Sequence, residues 1–258
     1  MKLCDPALLV LALSLTVSAA SADEVACHFE GGVLVVAASV ADVAGDFILD
    51  TGAPVTLLRA GAQGIAETGG PGEIRLAGLI LPPRRIGVAD LDVRTWNLPT
   101  PVAGVIGADA VQGLVLDVAF APCRVRLSQP HHAPRFAGVI VPVTWDAGRP
   151  VVEAIVSDGV RRLSGPFILA TGANAPVRLA DDLAQAPGVN RPAELYPQGV
   201  WLARLQALAL ADQTFADLGA GLMEPEGEFA GLIGAPVLAH FRWRFDFAAG
   251  TLITRSVR

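Results

Sequence analysis

The chain has 258 residues, 52% hydrophobic and 17% charged, which is enough apolar material for one large domain or two lobes of ordinary size. Its formal net charge is −6. With no basic block to neutralise phosphates, nucleic acid is excluded as a partner. At the N-terminus Lys2 supplies a minimal positive region, Ala7 to Val17 an apolar core, and Ala20-Ser21-Ala22 a small-x-small cleavage site. This pattern predicts a signal peptide over 1–22. The apolar run falls short of the ~20 residues a membrane anchor needs, so the expectation is an exported protein, periplasmic or secreted, with no stable membrane insertion after cleavage.

Valine-rich segments follow, as β-structure prefers: Val25 to Phe29, a turn at Glu30-Gly31-Gly32, then Val33 to Val40. A second turn near Ala44-Gly45 leads into Phe47-Ile48-Leu49-Asp50-Thr51-Gly52-Ala53. Three apolar residues read as a buried strand that delivers a carboxylate, a hydroxyl and a glycine on a tight turn. Val55 to Leu58 is the next expected strand, and Glu67-Thr68-Gly69-Gly70-Pro71-Gly72 is the richest turn signal in the chain. Val105-Ile106-Gly107-Ala108 then precedes a closing strand pair, Leu116 to Phe120 and Val125 to Leu127. Asp109, just after Gly107, reads as a cap for the helical turn that follows.

Ser128 to Arg135 is the clearest shift in composition and reads as a linker. Its adjacent His131 and His132 lack companions at ligand spacing, so no metal is expected, and no cofactor either. Arg84-Arg85 and Arg161-Arg162 read as solvated surface pairs. Beyond the linker the expected strands are Val139 to Thr144, Val151 to Val156, and Val160 to Leu169 with a break near Gly165-Pro166. Here the chain repeats itself. Phe167-Ile168-Leu169-Ala170-Thr171-Gly172-Ala173 matches the earlier motif at six of seven positions, and Leu232-Ile233-Gly234-Ala235 matches Val105 to Ala108. The position that differs in the first pair is the acid, now Ala170. An internal repeat of this kind decides the fold reading ahead of any propensity argument.

The repeated motif and its later apolar-apolar-glycine resemble the retropepsin-like and pepsin-like aspartic peptidases, most closely a bacterial, two-repeat, secreted form, over Val33 to Arg255. The resemblance implies an all-β, two-lobed acid-protease fold with short helices: an N-terminal lobe over 23–128, a linker over 129–137 and a C-terminal lobe over 138–258. It further implies a monomer with an internal pseudo-dimer, and an extended peptide or protein segment bound in the interlobe cleft. On this resemblance Asp50, Thr51 and Gly52 are expected to be the catalytic loop. Ala170, Thr171 and Gly172 form its counterpart, with the second aspartate position vacant. Gly69, Gly70 and Gly72 fall where the family carries its substrate-covering flap, the alternative being an ordinary glycine-rich hairpin. Tyr196, with Trp201 beyond it, is a candidate substrate contact or else packs on the core edge. Cys27 and Cys123 lie in the first and closing strands of one lobe, and in an exported protein they suggest a disulfide. Two buried free thiols are the alternative.

Peptide hydrolysis by paired carboxylates requires two acids too close to ionise together, so that one acts as base and the other as acid. Asp50 can be the base, but Ala170 offers neither charge nor proton. Loss of a general acid removes a factor of ~10²–10⁴ in rate. Asp181 and Asp182 lie about eleven residues beyond Ala170 and lead away from it. Three readings follow: a degenerate aspartic peptidase, in effect a pseudoenzyme, that still binds peptide; an active peptidase in which Asp50 meets an unplaced acid or a second Asp50 across a dimer; and a structural protein with no peptide cleft.

Overall fold

The computed structural model describes residues 24–61, 69–180, 203–223 and 227–257. The predicted signal peptide, Asp181, Asp182, Tyr196 and Trp201 lie outside the described residues. The first half forms β1 (Glu24–Glu30), β2 (Val33–Val40), β3 (Val43–Leu49), β4 (Leu57–Arg59), β5 (Gly70–Leu76), β6 (Leu79–Ala89), α1 (Asp92–Thr95), β7 (Val102–Ile106), β8 (Val115–Phe120) and β9 (Cys123–Ser128). The second forms β10 (Val139–Val141), β11 (Thr144–Asp146), β12 (Arg149–Ser157), β13 (Arg162–Ala170), β14 (Val177–Leu179), β15 (Ala203–Leu210), β16 (Gln213–Leu222), β17 (Gly231–Gly234), α2 (Ala235–Leu238), β18 (Phe241–Asp246) and β19 (Thr251–Ser256). The fold is all-β and two-lobed.

The repeat read from sequence is a repeat of topology. Strand order β1-β2-β3-β7-β4-β6-β5 in the first half matches β11-β12-β13-β17-β14-β16-β15 in the second. Each set curls back on itself through a further pairing, β2 with β5 and β12 with β15. The motif strands β3 and β13 each lie parallel to the strand that ends in the second glycine, β7 and β17. Closure of that kind puts the apolar side chains inside. Phe47 and Phe167, the first residue of each motif, are both fully buried.

Both apolar-apolar-glycine segments need their glycine for close approach. A Cβ at Gly107 would lie 2.6 Å from the Val55 backbone, and one at Gly234 would lie 2.1 Å from the Ala175 carbonyl. Each glycine thus packs directly behind a motif loop, and a single turn of helix follows it: a 3₁₀ turn over Ala108–Val111 and α2.

A third sheet joins the halves. Its order is β10-β19-β18-β8-β9-β1, with β8 and β18 antiparallel at the seam. The C-terminal strands are therefore stitched to the N-terminal half. Cys27 and Cys123 form a disulfide with Cα atoms 5.1 Å apart, tying β1 to the start of β9. On the seam Arg244 grips Asp117 with two bonds of 2.6 Å and donates a third, of 2.7 Å, to the Pro134 carbonyl. The expected linker is thus packed down, with Phe136 beneath the Arg244 guanidinium at 5.0 Å.

Three local expectations change. The segment expected as one strand over Val139 to Thr144 is two short strands, β10 on the shared sheet and β11 on the second lobe. β1 makes the same two attachments without a break. β13 runs unbroken through Gly165-Pro166, because its second neighbour, β17, pairs only from Phe167 onward and no donor is required at the proline. Asp109 caps nothing; its carboxylate accepts the Thr56 hydroxyl at 2.8 Å, and that hydroxyl in turn accepts the Gly107 amide at 3.1 Å.

Candidate active site

The two motif loops meet at the junction of the lobes. The Thr51 amide donates to Thr171 Oγ1 (3.1 Å) and the Thr171 amide to Thr51 Oγ1 (3.3 Å). Each hydroxyl then donates across the junction, Thr51 to the Leu169 carbonyl (2.7 Å) and Thr171 to the Leu49 carbonyl (2.6 Å). Both threonines are buried, so every donor and acceptor in this reciprocal set is satisfied without water.

The motif glycines permit this approach. A Cβ at Gly52 would lie 2.4 Å from that of Ala170, and one at Gly172 would lie 2.5 Å from that of Asp50. Asp50 therefore rests on the opposing Gly172, and Ala170 on the opposing Gly52. Ala170 is completely buried, while Asp50 lines a cavity of about 380 Å³ between the loops.

Asp50 is 4% exposed, and its oxygens are well supplied with donors. Oδ1 accepts the amides of Gly52 (2.8 Å) and Gly172 (3.2 Å). Oδ2 accepts Nη2 of Arg94 at 2.6 Å, and the same nitrogen reaches the Gly172 carbonyl at 3.2 Å. The charged neighbour of Asp50 is thus a guanidinium. A guanidinium cannot act as the missing acid. Arg94 can stabilise a negative charge, but it cannot share a proton with Asp50.

Arg94 comes from α1, which the sequence reading did not foresee. Two more arginines, Arg149 and Arg178, also line the cavity. Arg149 begins β12, pairs with Asp146, and stacks over Phe229 at 5.2 Å. Arg178 lies on β14 and donates to Asn174 Oδ1 at 3.3 Å. Burial, and then the positive charge of Arg94, push the Arg178 pKa down, while Asp50 opposes them.

Other residues singled out from sequence lie apart. Gly69 precedes β5 and Gly70 and Gly72 belong to it, Gly72 beside Ala41, and none of the three lines this cavity. Of the turn expected to cover substrate, 67 and 68 lie outside the described residues, while Gly70, Pro71 and Gly72 pair with Ile86, Arg85 and Arg84. His131 and His132 are exposed on a 3₁₀ turn, and among the described residues no cluster could hold a metal.

No protein-family model matches the chain, and no curated protein matches it in sequence. Among solved structures it is similar to an aspartic proteinase from Irpex lacteus, with a TM-score of 0.57 and 14% identity over 92% of this chain and 97% of that one. At that identity the likeness establishes the fold, which is that of the two-lobed pepsin-like proteinases.

Proposed function

We propose that this is an exported protein of aspartic-proteinase fold that binds extended peptide in its interlobe cleft and cleaves it weakly or not at all. The observation that carries the reading is the asymmetric pair of loops. They are joined by the full set of threonine bonds, yet they present one carboxylate, and that carboxylate is held by Arg94. Val55 and Val93 line the cavity while remaining about half exposed, an apolar surface suited to peptide side chains. The Cys27–Cys123 disulfide fits an oxidising compartment and so supports export.

The test is cleavage of a denatured protein substrate across pH 3–6 by the purified mature protein and by its Ala170→Asp variant. The unaltered protein should show little or no turnover. The variant should gain activity, up to the ~10²–10⁴ a positioned general acid supplies. Robust cleavage by the unaltered protein, abolished by Asp50→Asn, would overturn the reading. Absence of both cleavage and peptide binding in either folded form would favour a structural role.

A further inference from the structure

The two halves can be compared position by position through their strand registers. Val35 pairs with Ile48 and Val151 with Ile168. Counting back two residues makes Val33 and Arg149 equivalent, each just past a tight turn, Gly31-Gly32 or Ala147-Gly148, with both turn residues at positive φ. Ile48 pairs with Val105 and Ile168 with Leu232, and across the next strand Leu57 faces Val105 as Arg178 faces Leu232. Leu57 and Arg178 are therefore also equivalent.

All four residues line the cavity beside Asp50. The first lobe contributes Val33, Leu57 and a carboxylate. The second contributes Arg149 and Arg178, and at the position of the carboxylate it has the buried Ala170, which does not reach the cavity. Where the second repeat has no acid it carries two cations, and Arg94 adds a third. Asp50 is the only acid among the described lining residues, and Arg94 already holds it. Arg149 is matched by Asp146. Arg178 has no acidic partner among the described residues; its hydrogen bond is to the neutral amide of Asn174.

We propose that the cleft recognises a carboxylate on its peptide ligand and that Arg178 is the residue that takes it. The inference rests on the peptide-binding reading above. A guanidinium presents a planar fork of donors that fits a carboxylate in two parallel bonds, and a partly desolvated one gains more from an anion than a surface cation would. The carboxylate could belong to an acidic side chain or to the C-terminus of the peptide; both share this chemistry.

The experiment measures, by isothermal titration calorimetry, binding of unlabelled, N-acetylated, alanine-rich octapeptides to the full mature protein. The peptides carry either Glu or Gln at a central position and end in either a free or an amidated C-terminus. At least one carboxylate-bearing peptide should bind roughly ten- to a hundredfold more tightly than the amidated Gln peptide, the range expected of a hydrogen bond to a charged group. Which one it is identifies the source. Arg178→Leu, which installs the first lobe's residue, should abolish the discrimination, and Arg178→Lys should keep part of it. Thermal unfolding of each variant checks that it is folded.

Equal affinity for all four peptides would overturn the carboxylate assignment while leaving the peptide cleft standing. No binding of any peptide would overturn both. Discrimination that survives Arg178→Leu in the folded variant would overturn the role of Arg178.

Discussion

At the residue scale, the contact between Arg94 and Asp50 decides what the site can do. Side-chain exposure is 33% for Arg94 and 6% for Asp50, so removing the arginine leaves a buried carboxylate with only its two amide donors. Breaking a fully buried pair costs about 3–5 kcal/mol, and the exposed share of Arg94 lowers the expectation for Arg94→Met to about 1–3 kcal/mol. A denaturant midpoint that does not move would show that the contact carries no stability. The same change should help catalysis once an acid is restored. Arg94→Met combined with Ala170→Asp should exceed Ala170→Asp alone by about tenfold, roughly 1.4 kcal/mol in the barrier, because the guanidinium no longer holds Oδ2. Equal rates would show that Arg94 does not compete with proton sharing. Asp50, Ala170 and the threonines were legible in the sequence because the motif occurs twice. Arg149 and Arg178 were legible in principle, as departures from Val33 and Leu57. The second was hidden because Arg178 stands one residue further from its motif than Leu57 does. Arg94 gave no signal, since no repeated residue marks it.

At the scale of elements, the loops are held by four hydrogen bonds that share two side chains. Thr51→Val keeps the shape but leaves the Thr171 amide without its acceptor and the Leu169 carbonyl without its donor. An unsatisfied buried group costs about 1–3 kcal/mol, so the variant should be destabilised by at least that much in chemical unfolding. Thr171→Val should match it, since the set is reciprocal. A large difference between the two would show that the loops are not equivalent supports. The repeated apolar runs identified the ends of β3 and β13 and the strands β7 and β17, whereas β6, β14, β15 and β16 were not expected. What the sequence could not convey was where a strand changes partner. β1 passes from one sheet to another without a mark, and β10 and β11 are separated by only two residues. Gly70 and Gly72, read as part of a turn, lie in β5 for a related reason. Glycine permits a turn, but here it admits the strand to close contact with Ala41 and Ile86.

At the scale of the molecule, the two repeats are not separate bodies, because the shared sheet crosses between them. The Arg244–Asp117 pair sits on that crossing, with side chains 9% and 17% exposed. Arg244→Ala strands the Asp117 carboxylate and removes the donor to Pro134, and the expected cost is about 3–5 kcal/mol. Faster proteolysis within residues 129–137 should accompany it, as that segment loses its anchor. Unchanged stability with unchanged cleavage would place the cohesion of the halves elsewhere.

The seam also sets a timetable for synthesis. Until β18 is made, β8 stands at the rim of a half-built sheet, with Val115, Leu116 and Val118 beside a row of unpaired backbone groups. Rims of that kind recruit whatever extended chain comes near. The strand that covers this one starts 121 residues after β8 ends, from Phe120 to Phe241, so at ribosomal speed the rim waits on the order of ten seconds. A first half released early, by a premature stop codon, would keep that rim permanently and should be lost to aggregation or to proteases. The nascent full-length chain carries the same hazard for the length of the wait, and holding it unfolded until β18 has emerged would avoid it.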